Sequence, residues 1–272
     1  MRWIWLAVLL AGFSLFADAA VSIVSLNPPP AAADPSSCAQ TVITQAVSFN
    51  VSSTLGASSI ILANTHVNFT KGPVTHQAAT CVNTTPMDVD WTVINCTGAA
   101  FDYYDSPGSW TISIHVEDAG SSDENNTQSL VYNSGTLMDV QYTSGSAITF
   151  GNVAKGSTGN MDTDGLKLRN CGNAALNNSI TGAAITDGGV NSMAVGQFYI
   201  DDDTTYGTDG SDNAILQLAA GPQAFSSYSA AGIPVSTGSD STWALYFFAN
   251  VPSNQALATY NTGTWTFTPS QA

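Results

Sequence analysis

The sequence predicts an all-β protein, in which two tandem antiparallel β-sandwich domains follow a signal peptide. Apolar and polar residues alternate in several segments, most clearly in Trp110–Val116, and a period of two indicates a strand with one buried face. One strand-opening arrangement occurs twice in the chain. No segment shows a sustained apolar period of 3.6 residues with caps, so we expect little helix.

The duplicated arrangement consists of a tyrosine, a turn that contains glycine, and a tryptophan that opens a strand. The first copy runs from Tyr104 through a Pro-Gly turn to Trp110, and the second runs from Tyr260 through Gly263 to Trp265. Proline presets φ for a turn and glycine accepts a positive φ, so each copy indicates a tight turn before a strand. The two copies predict two sandwich domains of similar build.

The N terminus has the features of a secretory signal peptide. Arg2 is followed by the apolar run Trp3–Phe16 and by Ala17-Asp18-Ala19, which predicts cleavage after Ala19. This run is shorter than the roughly 20 residues that span a bilayer. We therefore expect residues 1–19 to be removed, and the mature chain to be secreted or held at the cell surface by other proteins, without a membrane span.

The composition excludes two classes of partner. The chain has 5 basic and 20 acidic residues, a net charge of −15, and only 9% charged residues. Nucleic acid and anionic membrane surfaces are excluded because there are too few basic residues to neutralise phosphates. Low charge together with many β-branched hydroxyl residues favours exposed faces of β-sheets.

Two domains are expected, at 20–133 and 134–272. In the first, the spacing of strands and turns is typical of an Ig-like sandwich. Its predicted strands are Val21–Asn27, Thr41–Ser52, Ser58–Thr70, Val74–Thr84, Asp90–Tyr104, Trp110–Glu117 and Thr127–Tyr132. The second domain has candidate strands at Leu137–Tyr142, Ala147–Asn152, Leu166–Asn170, Leu176–Ile185, Met193–Ile200, Ala214–Ala220, Thr242–Val251 and Trp265–Thr268.

The four cysteines indicate disulfides, because export would place the chain in an oxidising compartment. Four cysteines allow three pairings. Cys81 and Cys96 lie symmetrically about a predicted loop at 87–90, so antiparallel strands would bring them close to opposite each other. We favour that pairing, which leaves Cys38 and Cys171 either as a staple between the domains or as two free thiols.

One part of the first domain resembles a known family. Tyr104, the Pro-Gly turn, the alternating strand Trp110–Val116 and the following Asp118 resemble the end of PKD and related Ig-like modules. The resemblance covers residues 103–120, and the Trp-Asp-Phe-Gly-Asp core of PKD modules does not occur elsewhere in the domain.

The second domain carries another resemblance. Ile148–Gly156 has the pattern I-x-F-G-x-V-x-x-G and Leu166–Leu176 has L-x-L-x-N-x-G-N-x-x-L, with Cys171 where threonine is more usual. Together they resemble an Ig-like pattern of bacterial and archaeal surface and envelope proteins. As a whole, the chain resembles exported archaeal surface proteins with tandem modules of this kind. Such modules imply display, spacing or adhesion rather than catalysis.

The sequence suggests sites for glycosylation and for cation binding. N-x-S/T sequons, which fit an exported surface protein, occur at Asn50, Asn68, Asn83, Asn95, Asn125 and Asn177. An acidic stretch at 201–213 offers carboxylates for a structural Ca²⁺ ion, with Asp201, Asp203, Asp209 and Asp212 as the candidate ligands. The alternative is a solvated hairpin loop, because Asp and Gly are common turn residues. Asp162-Thr163-Asp164-Gly165 is a weaker version of the same pattern. We expect no other cofactor.

The histidines have two interpretations. His66 and His76 lie symmetrically about Lys71, so a hairpin there would bring their imidazoles together for Zn²⁺ or Cu²⁺. No nearby residues are nominated as further ligands, so we favour exposed polar residues on strand faces, and His115 has the same interpretation.

Catalysis is not indicated. The nucleophile and zinc motifs G-x-S-x-G, S-x-x-K and H-E-x-x-H are absent. Paired carboxylates for glycoside cleavage stay open because their pairing is spatial, but Glu117 and Glu124 are the only glutamates, which leaves little choice of a catalytic Glu. We therefore expect a non-enzymatic structural or adhesive protein that joins itself or other cell-surface proteins through edge strands. Glycans are a further class of partner.

Two other functions remain open. One is a carbohydrate-binding module that uses exposed aromatic side chains, although a sandwich core also requires such residues. The other is an exported hydrolase. The aromatic residues that could line a sugar-binding face are Trp91, Trp110, Trp243, Tyr246, Phe247, Phe248 and Trp265.

Overall fold

The computed structural model describes residues 20–27, 32–36, 38, 42–84, 88–207, 216–224, 233–235, 241–261 and 263–272. The predicted signal peptide at 1–19 lies outside these residues. The all-β prediction is confirmed, because the described residues form β-strands, almost all paired antiparallel, and two short 3₁₀ turns at Ala57–Ser59 and Val195–Gln197. None of the helical segments in the described residues has the length and apolar character needed to cross a bilayer.

The strands are short in the second half of the chain and longer in the first half. In chain order they are β1 (Val21–Leu26), β2 (Ala32–Ala33), β3 (Ile43–Ser53), β4 (His66–Lys71), β5 (Val74–Gln77), β6 (Thr80–Asn83), β7 (Trp91–Phe101), β8 (Gly108–Glu117), β9 (Ser122–Tyr132), β10 (Met138–Tyr142), β11 (Asn160–Met161), β12 (Leu166–Asn170), β13 (Leu176–Thr181), β14 (Ile185–Thr186), β15 (Ser192–Met193), β16 (Phe198–Asp201), β17 (Leu216–Gln217), β18 (Gln223–Ala224), β19 (Ser241–Ala249) and β20 (Thr266–Gln271).

The described residues divide into two compact units. The first unit contains those within 1–31, 44–100 and 109–130, and the second contains those within 32–43, 101–108 and 131–272. The boundary between residues 133 and 134 and the tandem Ig-like arrangement stay predictions.

The first unit consists of two antiparallel sheets, one with the order β1-β3-β7-β6 and the other with the order β9-β8-β4-β5. β3 and β8 bury every second side chain along most of their length, as β8 does with Trp110, Ile112, Ile114 and Val116. A core built from alternate residues of two sheets is the arrangement that the period of two predicts.

The burial pattern of β7 changes phase at Gly98, which keeps the core continuous along this strand. Before Gly98, the buried side chains lie at even-numbered positions, such as Ile94 and Cys96. After Gly98, they lie at odd-numbered positions, beginning with Ala99. The change of phase falls at Gly98, which has a φ of 89° that glycine adopts without strain. A side chain here would also collide with the neighbouring strand segment, because a Cβ would lie 2.9 Å from the Cβ of Ala79.

The segment predicted as a single strand at Val74–Thr84 changes sheets. β5 pairs with β4, and β6 pairs with β7 in the other sheet. The change occurs at two alanines, since the amide of Ala78 donates to the Val67 carbonyl oxygen and the amide of Ala79 donates to the Thr97 carbonyl oxygen. The predicted strand at Ser58–Thr70 is also shorter than expected and begins at His66, because residues 61–65 form a turn.

The second unit contains several smaller sheets. Its largest has the order β10-β12-β19-β16-β17, with β11 also paired to β19, and its others are β18-β13-β20 and β14-β15. β2 pairs in parallel with Val131–Tyr132. The core of this unit includes Leu166, Leu168, Leu176, Ile180, Phe198, Ile200, Leu245 and Phe247.

The predicted strand at Ala147–Asn152 is not a strand in the structure. Ile148 and Phe150 nevertheless pack against the core, so the apolar pattern reflects burial rather than sheet pairing. Gly151 has a φ of 64°, which is incompatible with an extended strand at that residue.

Candidate functional sites

Both disulfides lie within single units. Cys81 and Cys96 face each other across β6 and β7 with 4.0 Å between their Cα atoms, which is the pairing favoured from the sequence. Cys38 and Cys171 also form a disulfide, and both belong to the second unit. Two disulfides indicate an extracellular or otherwise oxidising compartment.

An arginine holds the chain next to the second disulfide. Nη2 of Arg169 donates to the Cys38 carbonyl oxygen at 3.0 Å and to Oδ2 of Asp139 at 3.0 Å. This ion pair is mostly buried on the arginine side, where the side chain is 13% exposed. Arg169 therefore fixes the backbone that presents Cys38 to Cys171.

The N-C-G-N segment at the end of β12, residues 170–173, has a structural role. Nδ2 of the buried Asn170 lies 2.8 Å from the Ala174 carbonyl oxygen and 3.1 Å from the Ile233 carbonyl oxygen, and its Oδ1 accepts from the Gly172 amide at 2.8 Å. Oδ1 of Asn173 accepts from the Gly135 amide at 2.7 Å. The L-x-L-x-N-x-G-N-x-x-L segment thus contains buried side-chain amides that hydrogen-bond to backbone groups, which is a structural role.

The acidic stretch is brought together in part. Ligand oxygens of Asp201, Asp202 and Asp203 lie within 4.8 Å of one another. Burial and, less strongly, the neighbouring carboxylates raise the pKa of Asp201 to about 6, although the Asp202 amide that donates to it acts in the opposite direction. Asp202 was not among the candidate ligands, and Asp209 and Asp212 lie outside the described residues. The calcium assignment stays a prediction.

The weaker acidic pattern forms a turn. The buried carboxylate of Asp162 accepts from the amides of Phe247 at 2.9 Å and Gly165 at 2.6 Å. Oδ1 of Asp164 accepts from the Ser144 hydroxyl at 2.6 Å. Both carboxylates thus hold the backbone and a neighbouring hydroxyl, as acidic turn residues commonly do.

The alternative in which a hairpin brings His66 and His76 together does not occur in the structure. The β4–β5 hairpin turns between Lys71 and Val74, which places His76 opposite Phe69, so the two histidines lie on opposite faces of the sheet. His66 instead pairs with His115 across β4 and β8. Their imidazole rings are stacked, with 4.8 Å between the centroids and 24° between the planes.

Most of the aromatic candidates are at least partly buried. Trp110, Phe247 and Phe248 are fully buried, three others are partly buried, and Trp91 is exposed at 43%. The structure places the ring of Tyr206, from the same unit, 5.5 Å from that of Phe248.

The second unit has a cleft with an aromatic lining, which the sequence did not predict. It encloses about 190 Å³, and its aromatic lining residues are Tyr142, Phe150, Phe247, Tyr260, Trp265 and Phe267. Three of these come from loop segments, so no periodic signal could have grouped them.

The sequons lie on strands and are accessible. All six asparagines are partly exposed: Asn50 (β3), Asn68 (β4), Asn83 (β6), Asn95 (β7), Asn125 (β9) and Asn177 (β13). Glycosylation at these residues stays a prediction.

Comparison with known proteins gives no family. No protein-family model and no curated protein matches the chain. One similar solved structure is from the chaperone–tip adhesin complex of CFA/I fimbriae biogenesis, with 10% identity, 93% of this chain and 84% of that chain covered, and a TM-score of 0.30. Another is the secreted serine protease VesC from Vibrio cholerae, with 9% identity, coverage of 92% and 51%, and a TM-score of 0.20. Similarities this low carry no argument about function.

Proposed function

We propose that this protein is an exported, non-catalytic component of a cell surface, with a structural or adhesive role, and that it assembles by strand addition at the edges of its first unit. Strand addition uses the row of backbone donors and acceptors along a sheet edge, so an uncharged edge strand favours it. The partner is a second copy of the chain or another surface protein.

The observation that carries the proposal is the character of the edges formed by β5 and β6. Each ends its sheet among the described strands. The whole segment 74–83 contains no Asp, Glu, Lys, Arg or Pro, which are the residues that usually protect an edge. One continuous segment therefore offers an unprotected edge on both sheets of the unit.

The opposite edge supports the same interpretation by contrast. β1 is also uncharged, but its amides are capped by side chains: the Val21 amide donates to the Ser121 hydroxyl at 2.7 Å, and the Ile23 amide donates to Oδ2 of Asp123 at 2.7 Å. A protected edge at β1 and an unprotected edge at β5–β6 fit assembly in one direction.

A proline at the edge tests the proposal. The Ala78 amide donates to β4, so the alternation of an antiparallel ladder directs the Thr75 amide away from β4. Thr75→Pro removes this outward donor, and Thr75→Val keeps it. In electron microscopy and light scattering of the mature chain, wild type and Thr75→Val should form oligomers or filaments. Thr75→Pro should assemble much less, because only the β6 edge then keeps its outward donors.

Two results would contradict the proposal: a wild-type chain that stays monomeric and binds no surface protein, or a folded proline variant that assembles as wild type does. Circular dichroism of both variants verifies folding, because proline is tolerated on an edge strand only where its amide is not in the ladder.

A second candidate function, carbohydrate binding, is favoured by the aromatic cleft of the second unit. Aromatic faces are suited to stacking against sugar rings, and Tyr142 at the rim is 41% exposed. On a glycan array, Tyr142→Ala should abolish binding and Trp91→Ala should leave it unchanged. An array with no bound glycan would remove this candidate.

A further inference from the structure

The outer face of the β9-β8-β4-β5 sheet carries a row of three polar side chains on neighbouring strands. His66 lies on β4, His115 on β8 and Glu124 on β9. The histidines face each other in the ladder, where side chains directly opposite have Cβ atoms about 5 Å apart. All three line one surface pocket of about 120 Å³ together with Asn68 and Ser113.

Hydrogen bonds determine which ring nitrogen carries the proton in each neutral histidine. Nδ1 of His66 lies 3.0 Å from the Asn64 carbonyl oxygen, which can only accept. Nδ1 of His115 lies 3.3 Å from Oε1 of Glu124, which accepts when it is ionised. Both Nδ1 atoms are therefore donors, and each Nε2 atom retains a lone pair.

An imidazole whose Nδ1–H is held by a carbonyl or carboxylate oxygen, with Nε2 available, is the usual state of a metal-binding histidine. We propose that His66 and His115 bind one divalent transition-metal ion, Cu²⁺ or Zn²⁺, through their Nε2 atoms. Two metal–nitrogen bonds of about 2.0–2.1 Å require the nitrogens to lie within about 4.1 Å of each other. The lone pair of each Nε2 lies in its ring plane and the stacked planes are only 24° apart, so both rings must rotate about χ2 before their Nε2 atoms can bind one ion.

Water supplies the remaining ligands. In the part of the chain that the structure describes, the two histidines and a third His, Cys, Asp or Glu do not form a group whose ligand atoms all lie within 4.8 Å of one another. A group of three such atoms does occur at Asp201, Asp202 and Asp203. Imidazole nitrogens favour Cu²⁺ over Zn²⁺, whereas carboxylates favour Ca²⁺ and Mg²⁺. The two places therefore differ in the class of ion that they take.

The chain provides its own control, since it has 3 histidines and the third lies elsewhere. His76 lies opposite Phe69 on the other face and its ring is 5.1 Å from that of Trp110. A matched set of His66→Gln, His115→Gln and His76→Gln thus separates this site from general binding by histidine. Glu124→Gln tests the positioning role of the carboxylate.

The experiment is calorimetric titration of the oxidised mature chain with CuCl₂ and ZnCl₂ at pH 7.5. The chain carries no histidine tag and no glycan on Asn68, and 5 mM CaCl₂ is present throughout to occupy carboxylate sites. Wild type and His76→Gln should bind one ion per chain with equal affinity. His66→Gln and His115→Gln should each weaken binding at least tenfold, and Glu124→Gln should weaken it about tenfold.

Paramagnetic broadening of histidine ring signals by Cu²⁺ gives a second measurement that requires no mutation. It should affect His66 and His115 before His76. The proposal fails if wild type binds neither ion, if either site variant binds within twofold of wild type, or if His76 is broadened first.

Discussion

The two copies of the tyrosine–turn–tryptophan arrangement occupy different positions in their sheets. In the first unit, the strand that follows the turn is β8, which has 10 residues and lies between β9 and β4. In the second unit, it is β20, which has 6 residues and ends the order β18-β13-β20. Trp110 is fully buried, whereas Trp265 is only partly buried.

The difference follows from the residues after each tryptophan. Trp110 is followed by three further apolar residues at alternate positions, so β8 can bury a whole face. Pro269 lies within β20, and proline is confined to edge strands because it has no amide to donate. A local arrangement therefore determines where a strand begins, and the residues within the strand determine its place in the sheet.

The largest expected effect on stability comes from the two disulfides, which close loops of very different length. Cys38 and Cys171 are 133 residues apart, and Cys81 and Cys96 are 15 residues apart. Loop-closure entropy predicts that replacing the first pair by alanines lowers the free energy of unfolding by about 5 kcal/mol, and replacing the second pair by about 3 kcal/mol. Guanidinium unfolding followed by circular dichroism measures both values. Equal losses would contradict the entropic account.

The two tryptophans should differ next. Trp110→Ala removes a fully buried side chain from the first unit and should cost about 4 kcal/mol. Trp265→Ala should cost about 2 kcal/mol, because Trp265 is partly buried and stacks 5.3 Å from Phe247, while its Nε1 donates to the Ala183 carbonyl oxygen at 3.0 Å. Thermal unfolding of the two variants gives the order, and a larger loss for Trp265→Ala would refute it.

Two glycines with positive φ allow a smaller test. Gly98→Ala in the first unit combines a φ of 89° with a Cβ contact of 2.9 Å and should cost about 3 kcal/mol. Gly151 in the second unit has a φ of 64°, and nothing lies within 4 Å of a Cβ added there. Gly151→Ala should therefore cost only the backbone strain of about 1 kcal/mol. Denaturant midpoints of the two variants separate steric contact from backbone strain.

How much of the fold was predictable depends on strand length. The boundaries of β12 were predicted without error and β8 began two residues earlier than expected, because each has at least two buried alternate side chains. Strands of two residues, such as β2, β11 and β14, were missed. Two residues cannot show a period, and such strands form only because a distant partner segment is already in place.

The sites show the same limit. Cys81 and Cys96 were paired correctly from symmetry about a nearby loop, and the structure pairs the same residues. The symmetry argument failed for His66 and His76, because the turn is centred between Gly72 and Pro73 rather than on Lys71. The partner of His66 is His115, 49 residues away, and sequence periodicity carries no information about pairing at that distance.

The smallest effects concern two buried aspartates, one in each unit, whose pKa values move in opposite directions. Burial acts to raise the pKa of Asp118, but hydrogen bonds from the Ser53 hydroxyl and from the Gly120 and Ser121 amides outweigh it, and the pKa lies below its ordinary value. In contrast, burial and the adjacent carboxylates raise the pKa of Asp201 to about 6. One carboxylate is thus stabilised in its charged form and the other in its neutral form.

The sign of the pH dependence follows from these directions. The contribution of Asp118 to stability is present above its unfolded pKa of about 3.9 and is lost as the pH falls through the lower folded value, so Asp118→Asn should cost about 1–2 kcal/mol at pH 7.

The contribution of Asp201 is present below about pH 3.9 and is lost as the pH rises through about 6, so Asp201→Asn should stabilise by about 1 kcal/mol at pH 8 and by nothing at pH 4. Melting temperatures at pH 4 and 8 in EDTA measure both. If Ca²⁺ binds the acidic group, added CaCl₂ should reverse the advantage of Asp201→Asn at pH 8, because the ion stabilises the charged carboxylates that the amide replaces.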